Sequence, residues 1–225
     1  MIHYLDQSFH AREASPAEMD LLWANGWRHF GTYFFRYSRA GHGRQLCHVL
    51  PLRVDLPAFT PSRSQKRALA RNRDLEVIIR DTLIDAEKEA LFERHRARFT
   101  ENVPESLYTF LSHQPADVPC RSQEICVYEG ARLLAASFLD LGETATSAVY
   151  AMFEPDEYKR SLGIFTMLRA IEFTRARGCR YYYPGYAFRE PSVYDYKKNF
   201  AALEYLDWGE GWKPYAPLTT EENDE

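Results

Sequence analysis

Apolar residues at helical spacing, combined with start signals, divide much of the chain into predicted helices. Ser15-Pro16-Ala17-Glu18 is a capping box with proline at the first helical position, and Gly26 is a suitable stop. Leu162, Phe165 and Leu168 recur at the spacing of one helix face. The predicted helices are 16–25, a basic helix from Ser62 or Ser64 to about Arg73, 85–99, a helix that opens at Pro104 and continues through Leu111, and 161–177.

Apolar runs between these helices predict strands. The runs on either side of Gly41 and Gly43 are expected to pair as a β-hairpin, because glycines suit a tight reversal. The three runs between residues 124 and 153 resemble an antiparallel meander. The predicted strands are 27–37, 45–56, 75–79, 124–128, 133–140, 146–153 and 179–183.

The order of these elements predicts an α+β fold. Three strands, a turn into a long helix and a further strand follow the order of an acyl-CoA N-acyltransferase domain of the GNAT type. We expect a small N-terminal α/β-hairpin region, residues 1–80, packed on a GNAT-like acyltransferase domain, residues 81–216. Residues 217–225 are acidic and are expected to form a disordered tail.

Composition narrows the class of protein. The 225 residues are 45% hydrophobic and 15% aromatic, which is sufficient for a packed core. No apolar run approaches the roughly 20 residues of a membrane span, and residues 1–12 lack the apolar core of a signal peptide, so we expect a cytoplasmic protein with no membrane contact. The 4 cysteines form no C-x-x-C pair, which favours reduced thiols over disulfides or a zinc site.

Positive charge is concentrated in one segment. Between Arg28 and Arg73 the chain carries ten Lys/Arg and a single acid, Asp55, although the formal net charge is −4. Such segregation predicts a polyanionic partner. Arg63, Arg67 and Arg71 are four residues apart, so a helix would present them on one face suited to phosphate.

The start of the longest predicted helix resembles an anion site. GNAT domains bind the pyrophosphate of acetyl-CoA at a helix N-terminus through [QR]-x-x-G-x-[GA]. The matching residues are Arg160-Ser161-Leu162-Gly163-Ile164-Phe165, in which Phe165 replaces the small residue that would admit phosphates. The alternative is that Ser161 is only an N-cap and Gly163 only a packing residue.

Longer motifs identify a family. The C-terminal half carries Ser147-Ala148-Val149-Tyr150, Ser161-Leu162-Gly163, Tyr182-Tyr183-Pro184-Gly185-Tyr186 and Tyr196-Lys197-Lys198-Asn199-Phe200, followed by Glu204. The N-terminal half carries Gly26-Trp27-Arg28-His29-Phe30-Gly31, Pro51-Leu52-Arg53-Val54 and the segment from Phe59 to Arg67. From about residue 20 to residue 205 these motifs resemble the arginyl-tRNA-protein transferases, which include a bacterial branch that uses leucyl-tRNA.

The resemblance implies an enzyme that moves arginine or leucine from charged tRNA to the α-amine of a protein beginning with Asp or Glu. The expected partners are therefore aminoacyl-tRNA and a protein or peptide with an acidic first residue. Because the donor brings an activated ester, no cofactor is expected. The family usually carries a four-cysteine cluster that binds zinc or an iron–sulfur cluster, but Cys47 stands alone in the matching segment, so we expect no metal site.

Three sets of candidate residues follow. The catalytic candidates are Asp140, Tyr186, Tyr196 and Lys197. The tRNA-binding candidates are Arg63, Arg67, Arg71, Ser161 and Gly163, and the acceptor-binding candidates are Arg28, Arg53 and Tyr150. Arg28 and Arg53 lie in apolar runs, where an unpaired charge is costly, so each is expected to meet an anion or an internal carboxylate.

Rival interpretations stay open for several of these residues. Lys197 could instead pair with Glu204, Asp140 could be a turn residue, and the tyrosines could serve only sheet packing, with Tyr182 as another candidate for stacking or oxyanion contact. Three other functions compete as well. They are aminoacyl transfer to a free peptide or small molecule, an acetyl-CoA-dependent GNAT N-acetyltransferase, which Phe165 opposes, and a non-catalytic RNA-binding module.

Overall fold

The computed structural model describes residues 4–43, 45–100 and 103–216. The α-helices are α1 (Pro16–Ala24), α2 (Arg63–Arg71), α3 (Ala86–Arg96) and α4 (Leu162–Ala176). The strands are β1 (Asp6–His10), β2 (Arg28–Phe30), β3 (Tyr33–Tyr37), β4 (Arg39–His42), β5 (Gln45–Asp55), β6 (Glu76–Asp81), β7 (Ser122–Glu129), β8 (Arg132–Leu141), β9 (Ala145–Phe153), β10 (Tyr181–Phe188), β11 (Leu203–Asp207) and β12 (Gly211–Pro214). Short 3-10 helices cover Leu107–Thr109, Pro155–Arg160 and Asp195–Asn199. The predicted disordered tail, 217–225, lies outside the described residues.

A large mixed sheet forms the centre of the fold. Its strand order is β12-β11-β5-β10-β9-β8-β7-β6, with β4 paired to β5, and only β9 and β10 run parallel. Strands β7, β8 and β9 form the predicted meander, and α4 connects β9 to the parallel β10. The predicted α+β class is confirmed. Because β5 lies between β11 and β10, the domain boundary predicted at residue 80 crosses a continuous sheet.

The predicted β-hairpin is wrong in its pairing. The run 27–37 does not form one strand, because the chain reverses at Gly31, which has a φ of +51°, and splits it into β2 and β3. These strands join β1 in a separate sheet of order β1-β3-β2. The strand that turns back through Gly43 onto β5 is instead the short β4.

Neighbouring residues of the sheet send their side chains to opposite faces, and each face has its own helices. On one face, α4 packs with Tyr182 of β10 in the main hydrophobic cluster. On the other face, Trp23 of α1 packs with Tyr183. The same alternation on β8 puts Ala135 beneath α4 and Ala136 beneath α3. The sheet is therefore covered on both faces.

Local signals predicted most helix bounds. Both Ser15 and Ser62 are N-caps in complete capping boxes, so α1 and α2 begin at the predicted positions. The helix predicted from Pro104 through Leu111 is wrong, since only the 3-10 turn Leu107–Thr109 forms before the chain turns again at Ser112. No helix in the described part of the chain is both long enough and apolar enough to cross a membrane.

Two glycines have similar backbone angles but different surroundings, so substituting each of them distinguishes the cost of backbone strain from the cost of overpacking. Gly26 has a φ of +79° and Gly178 a φ of +75°. A Cβ on Gly26 would lie 2.8 Å from the side chains of Leu206 and Trp208, whereas no atom lies within 4 Å of the same position on Gly178. We expect Gly178→Ala to cost about 1 to 2 kcal/mol from the left-handed backbone alone. Gly26→Ala is expected to cost about 1 to 3 kcal/mol more from overpacking.

The free energy of unfolding in urea measures both losses. Equal losses for the two variants would contradict the tight packing inferred around Gly26.

Candidate active site

The candidate site begins where β9 and β10 part. Their parallel pairing covers only Tyr181–Tyr183 against Ala145–Ser147, after which β10 bulges between Tyr182 and Gly185 and continues along β5 alone. Gly185 has a φ of +96°, a conformation that favours glycine. Beyond the bulge the facing edges of β9 and β10 are no longer joined, which opens the sheet at its middle.

Two cations meet at this opening. A Cβ on Gly185 would lie 3.4 Å from Nζ of Lys197 and 3.7 Å from Nη2 of Arg28. Arg28 reaches across from β2 and donates to Ser147 Oγ and the Ala148 carbonyl of β9. Lys197 comes from the 3-10 helix Asp195–Asn199 and donates to the Tyr186 carbonyl at 3.1 Å. Among the described residues, the hydrogen bonds of both side chains thus go to uncharged oxygens.

The electrostatics of the pair reflect burial and mutual repulsion. Burial, followed by the charge of Arg28, lowers the pKa of Lys197 to about 7. Burial also lowers the pKa of Arg28, although a guanidinium stays charged in any case. No carboxylate of the described residues lies within ion-pair distance of either cation. We call Arg28 and Lys197 the cation pair.

Asp140, the predicted amine-binding carboxylate, is engaged by a buried histidine. It is 3% exposed, and its Oδ2 lies 2.6 Å from Nε2 of His29 in a direct hydrogen bond. Nδ1 of His29 contacts the Gly31 carbonyl at 2.9 Å. Since Arg28 and His29 are consecutive on β2, the buried His29–Asp140 contact fixes the strand that presents Arg28. His29 was not among the predicted site residues, although it lies inside the family motif at residues 26–31.

Cys120 completes a buried group with these two residues. Ligand atoms of His29, Cys120 and Asp140 lie within 4.8 Å of one another, a spacing that can hold a metal ion. The His29–Asp140 separation of 2.6 Å is shorter than the roughly 3.3 Å expected between two zinc ligands at about 2.0 Å from the ion. As placed, the side chains bond to each other. All 4 cysteines are free and buried.

The predicted tyrosines have different surroundings. The hydroxyl of Tyr186 donates to the Gly26 carbonyl at 2.6 Å, so it anchors the end of α1 and is not available to an oxyanion in this arrangement. Tyr182 is fully buried, which excludes stacking on a base here. Tyr196 is 42% exposed, and its ring lies 6.0 Å from Nζ of Lys197. Tyr194 lies 5.2 Å from the same atom.

The second predicted acceptor arginine is internally neutralised. Nε of Arg53 lies 2.5 Å from Glu204, and its guanidinium is stacked between the rings of Tyr181 and Trp212. Of the two partners expected from the sequence, an anion or an internal carboxylate, Arg53 has the internal carboxylate. The rival pairing of Lys197 with Glu204 is wrong, because Glu204 bonds to Arg53.

Tyr150, the third acceptor candidate, packs towards α3. Its ring stacks on Phe110 with centroids 4.0 Å apart and contacts Phe92 and His95. Its buried hydroxyl has no hydrogen-bond partner among the described residues, and burial raises its pKa to about 12. The structure gives it no contact with the cation pair.

Helix α2 presents the predicted basic face and connects it to the opening. Arg63 and Arg67 are exposed, and among the residues the structure describes no carboxylate forms an ion pair with either. Arg71 donates to the Lys159 carbonyl and approaches Ser161 Oγ at 3.5 Å, at the start of α4. Nε2 of the buried Gln65 donates to the Asn199 carbonyl at 3.3 Å, at the end of the 3-10 helix that carries Lys197.

The start of α4 is only partly as predicted. Ser161 has a φ of +55° and makes no side-chain cap, so the first-turn N–H groups of α4 have no cap from it. A Cβ on Gly163 would lie 3.2 Å from Cε1 of Phe153, which supports the packing interpretation of that glycine. Phe165 is 3% exposed and packs in the core with Leu75, so it does not obstruct the helix end as predicted.

The meander of β7, β8 and β9, helix α4 and the parallel strand β10 follow one another in the order of a GNAT-like acyltransferase fold, as the sequence predicted. Comparison with known proteins identifies the family within that class. The models described as "Arginine-tRNA-protein transferase, N terminus" and "Arginine-tRNA-protein transferase, C terminus" match residues 3–67 and 87–207. The chain belongs to the arginine-tRNA-protein transferase family and is a transferase, as its motifs indicated.

Curated relatives agree with this family. An aspartate/glutamate leucyltransferase of Stenotrophomonas maltophilia (strain K279a) is 33% identical over 198 residues, which cover 84% of this chain and 77% of the relative. A protein of the same name from Saccharophagus degradans is 31% identical over 186 residues, 77% of this chain and 76% of the relative.

Solved structures are similar only at low identity. FemX superimposes with a TM-score of 0.48 at 10% identity and covers 84% of this chain and 65% of its own. A GCN5-related glucosamine N-acetyltransferase region of a fungal β-N-acetylglucosaminidase gives a TM-score of 0.46 at 14% identity, with 91% and 23% covered. Neither similarity bears on the activity of this chain.

The buried His29–Asp140 contact is expected to carry stability. Asp140→Ala leaves the imidazole of His29 buried without its partner, and we expect a loss of about 1 to 3 kcal/mol in the free energy of unfolding. Asp117→Ala removes an exposed carboxylate with no ion pair in the described structure and is expected to change it by less than about 0.5 kcal/mol. Urea unfolding compares the two. Similar values would mean that the contact contributes little.

Proposed function

We propose that the protein transfers an aminoacyl group from charged tRNA onto the α-amine of a protein or peptide that begins with Asp or Glu. Leucine is the proposed amino acid, because the relatives are named aspartate/glutamate leucyltransferases. One observation carries the proposal. The exposed arginines of α2 form a surface that adjoins both the start of α4 and the helix of Lys197, so a bound polyanion would lead directly to the opening in the sheet.

The chemistry needs little from the protein. The acceptor nitrogen attacks the ester carbonyl, the bond to the ribose oxygen of tRNA breaks, the nitrogen loses a proton and the ribose hydroxyl gains one. An α-amine has a pKa of about 8, so a sizeable fraction is unprotonated near neutral pH. Burial raises the pKa of Tyr196 to about 12, which keeps its hydroxyl a proton donor beside the opening. We propose that Tyr196 contacts the developing oxyanion.

Two sequence-based alternatives lose support. The acetyl-CoA reading is not favoured, because both halves of the chain match one tRNA-dependent transferase family. The argument against it from Phe165 no longer applies, since that side chain lies in the core. Transfer to a free small molecule is not favoured either, because the relatives are named aspartate/glutamate leucyltransferases. With charged tRNA as donor, a cytoplasmic location follows as part of the proposal.

A transfer assay tests the function directly. Incubation with radiolabelled leucyl-tRNA and peptides that begin with Asp or Glu is expected to move label into acid-precipitable, base-stable peptide. Arginyl-tRNA in a parallel reaction separates the two proposed donors. Peptides that begin with Asn or Gln are the matched acceptors and are expected to receive little label. Absence of transfer from any charged tRNA would reject the proposal.

The basic face of α2 is tested by salt dependence. Replacing Arg63 and Arg67 with Ala is expected to weaken tRNA binding and to reduce the slope of log affinity against log salt by about 1 to 2, because each phosphate contact releases counterions. The matched control replaces Arg12 and Arg121, two exposed arginines outside α2. Filter binding at several salt concentrations measures the slopes. Equal slopes for both double variants would exclude α2 as a tRNA contact.

A further inference from the structure

The cation pair has no negatively charged partner among the described residues. Nζ of Lys197 and Nη2 of Arg28 lie 3.4 and 3.7 Å from one point beside Gly185, which limits their separation to about 7 Å. Two like charges this close and half-buried repel each other and lose hydration. Their described contacts are the Ser147 hydroxyl and the carbonyls of Ala148 and Tyr186, none of which carries a charge.

Nearby carboxylates are occupied elsewhere. Asp140 acts on Arg28 electrostatically but is hydrogen-bonded to His29, and Glu204 is bonded to Arg53. The other groups that face the pair are tyrosines: Tyr37, Tyr182 and Tyr186 around Arg28, and Tyr194 and Tyr196 around Lys197. Tyrosine side chains do not supply the negative charge that the pair lacks, so the site suits an anion from outside the described structure.

We propose that Arg28 and Lys197 together bind the side-chain carboxylate of the acceptor's first residue. This inference rests on the proposed function and names the group of the acceptor that the site binds. A guanidinium accepts a carboxylate as a bidentate fork, and an ammonium closes on the same group from the other side. Lys197 thereby becomes a specificity residue rather than the catalytic residue predicted from sequence.

The surroundings favour a carboxylate over a tRNA phosphate. The arginines of α2 are exposed and suit the phosphate backbone of a tRNA that lies across the surface. The cation pair, in contrast, is half-buried between strands and a 3-10 helix. The pair also lies where β9 and β10 part, away from the exposed face of α2. A neutral amide in the same position would leave both charges without a counter-charge, which gives discrimination between Asp and Asn.

The state of Lys197 makes the discrimination depend on pH. The amine is charged below its pKa of about 7 and neutral above it in the empty site, while a bound carboxylate favours the charged form. The preference for an acidic first residue is therefore expected to be greatest below pH 7 and to decline as the pH rises through and beyond 7. Arg28 stays charged throughout and keeps part of the preference.

The experiment measures peptide binding without tRNA. Fluorescence anisotropy compares labelled peptides that differ only in Asp against Asn, or Glu against Gln, at the first position. The affinity ratio of each pair cancels the titration of the shared α-amine. We expect the acidic peptides to bind roughly 10- to 100-fold more tightly at pH 6, with a smaller ratio at pH 8.5.

Variants separate the two cations. Lys197→Met is expected to reduce the ratio at pH 6 and remove most of its pH dependence, whereas Lys197→Arg retains the ratio and flattens the pH profile. Arg28→Lys is expected to lower the ratio because the bidentate fork is lost. Lys159→Met, which removes an exposed lysine outside the opening, is the matched control and should behave as wild type.

The outcomes are distinct. Equal binding of acidic and amide peptides by the wild-type protein overturns the proposal, even if no variant folds. So does a preference that is as strong in both Lys197→Met and Arg28→Lys as in the wild-type protein. Variants that weaken leucyl-tRNA binding while the peptide preference keeps its wild-type size would also overturn the proposal and assign the pair to phosphate. If the acid preference holds but no charged tRNA donates, the carboxylate site stands and the proposed function fails.

Discussion

The fold depends on a difference in pairing between the two edges of β10. One edge pairs with β5 along most of the strand, and the other pairs with β9 only until the bulge before Gly185. A strand fully paired on both edges would leave no space in the middle of a sheet. Because hydrogen bonding to β5 maintains β10 beyond the bulge, the sheet can open at β9 without losing its continuity.

The opening draws its functional side chains from elements far apart in sequence. Arg28 lies on a short strand of the separate sheet, Lys197 follows β10, and the basic residues belong to the helix after β5. The elements that carry them are held by hydrogen bonds between other residues. These bonds join His29 to Asp140, Tyr186 to Gly26, and Gln65 to Asn199. Rigid support of this kind is what a site needs to hold reactive groups in a fixed geometry.

Sequence alone predicted the features that depend on local hydrogen bonds. The capping boxes at Ser15 and Ser62 fixed two helix starts, because the bonds that make them span only three residues. Pairing partners depend on contacts between distant residues, so the run 27–37 could be recognised as extended but was given the wrong neighbour. The turn at Gly31, a single glycine, decided the outcome.

For the charged candidate residues as well, sequence predicted the position of the residue but not its partner. The motifs around Arg28 and Arg53 look alike, since each places an arginine in an apolar run, and only tertiary structure brings Glu204 and two aromatic rings to Arg53. Asp140 was correctly placed at the end of a strand, but its partner His29 lies more than a hundred residues away. The sequence signal for this partner was the family motif at residues 26–31, which contains His29.

The burial of the cysteines affects how readily their thiols react with oxidants and alkylating agents. Burial raises the thiol pKa of Cys47, Cys120, Cys126 and Cys179, with the carboxylates of Asp140 and Glu124 adding to the effect at Cys120 and Cys126. Peroxides and alkylating agents react with thiolates, which are scarce at such positions at neutral pH. The four thiols are therefore poor targets for such reagents while the chain stays folded.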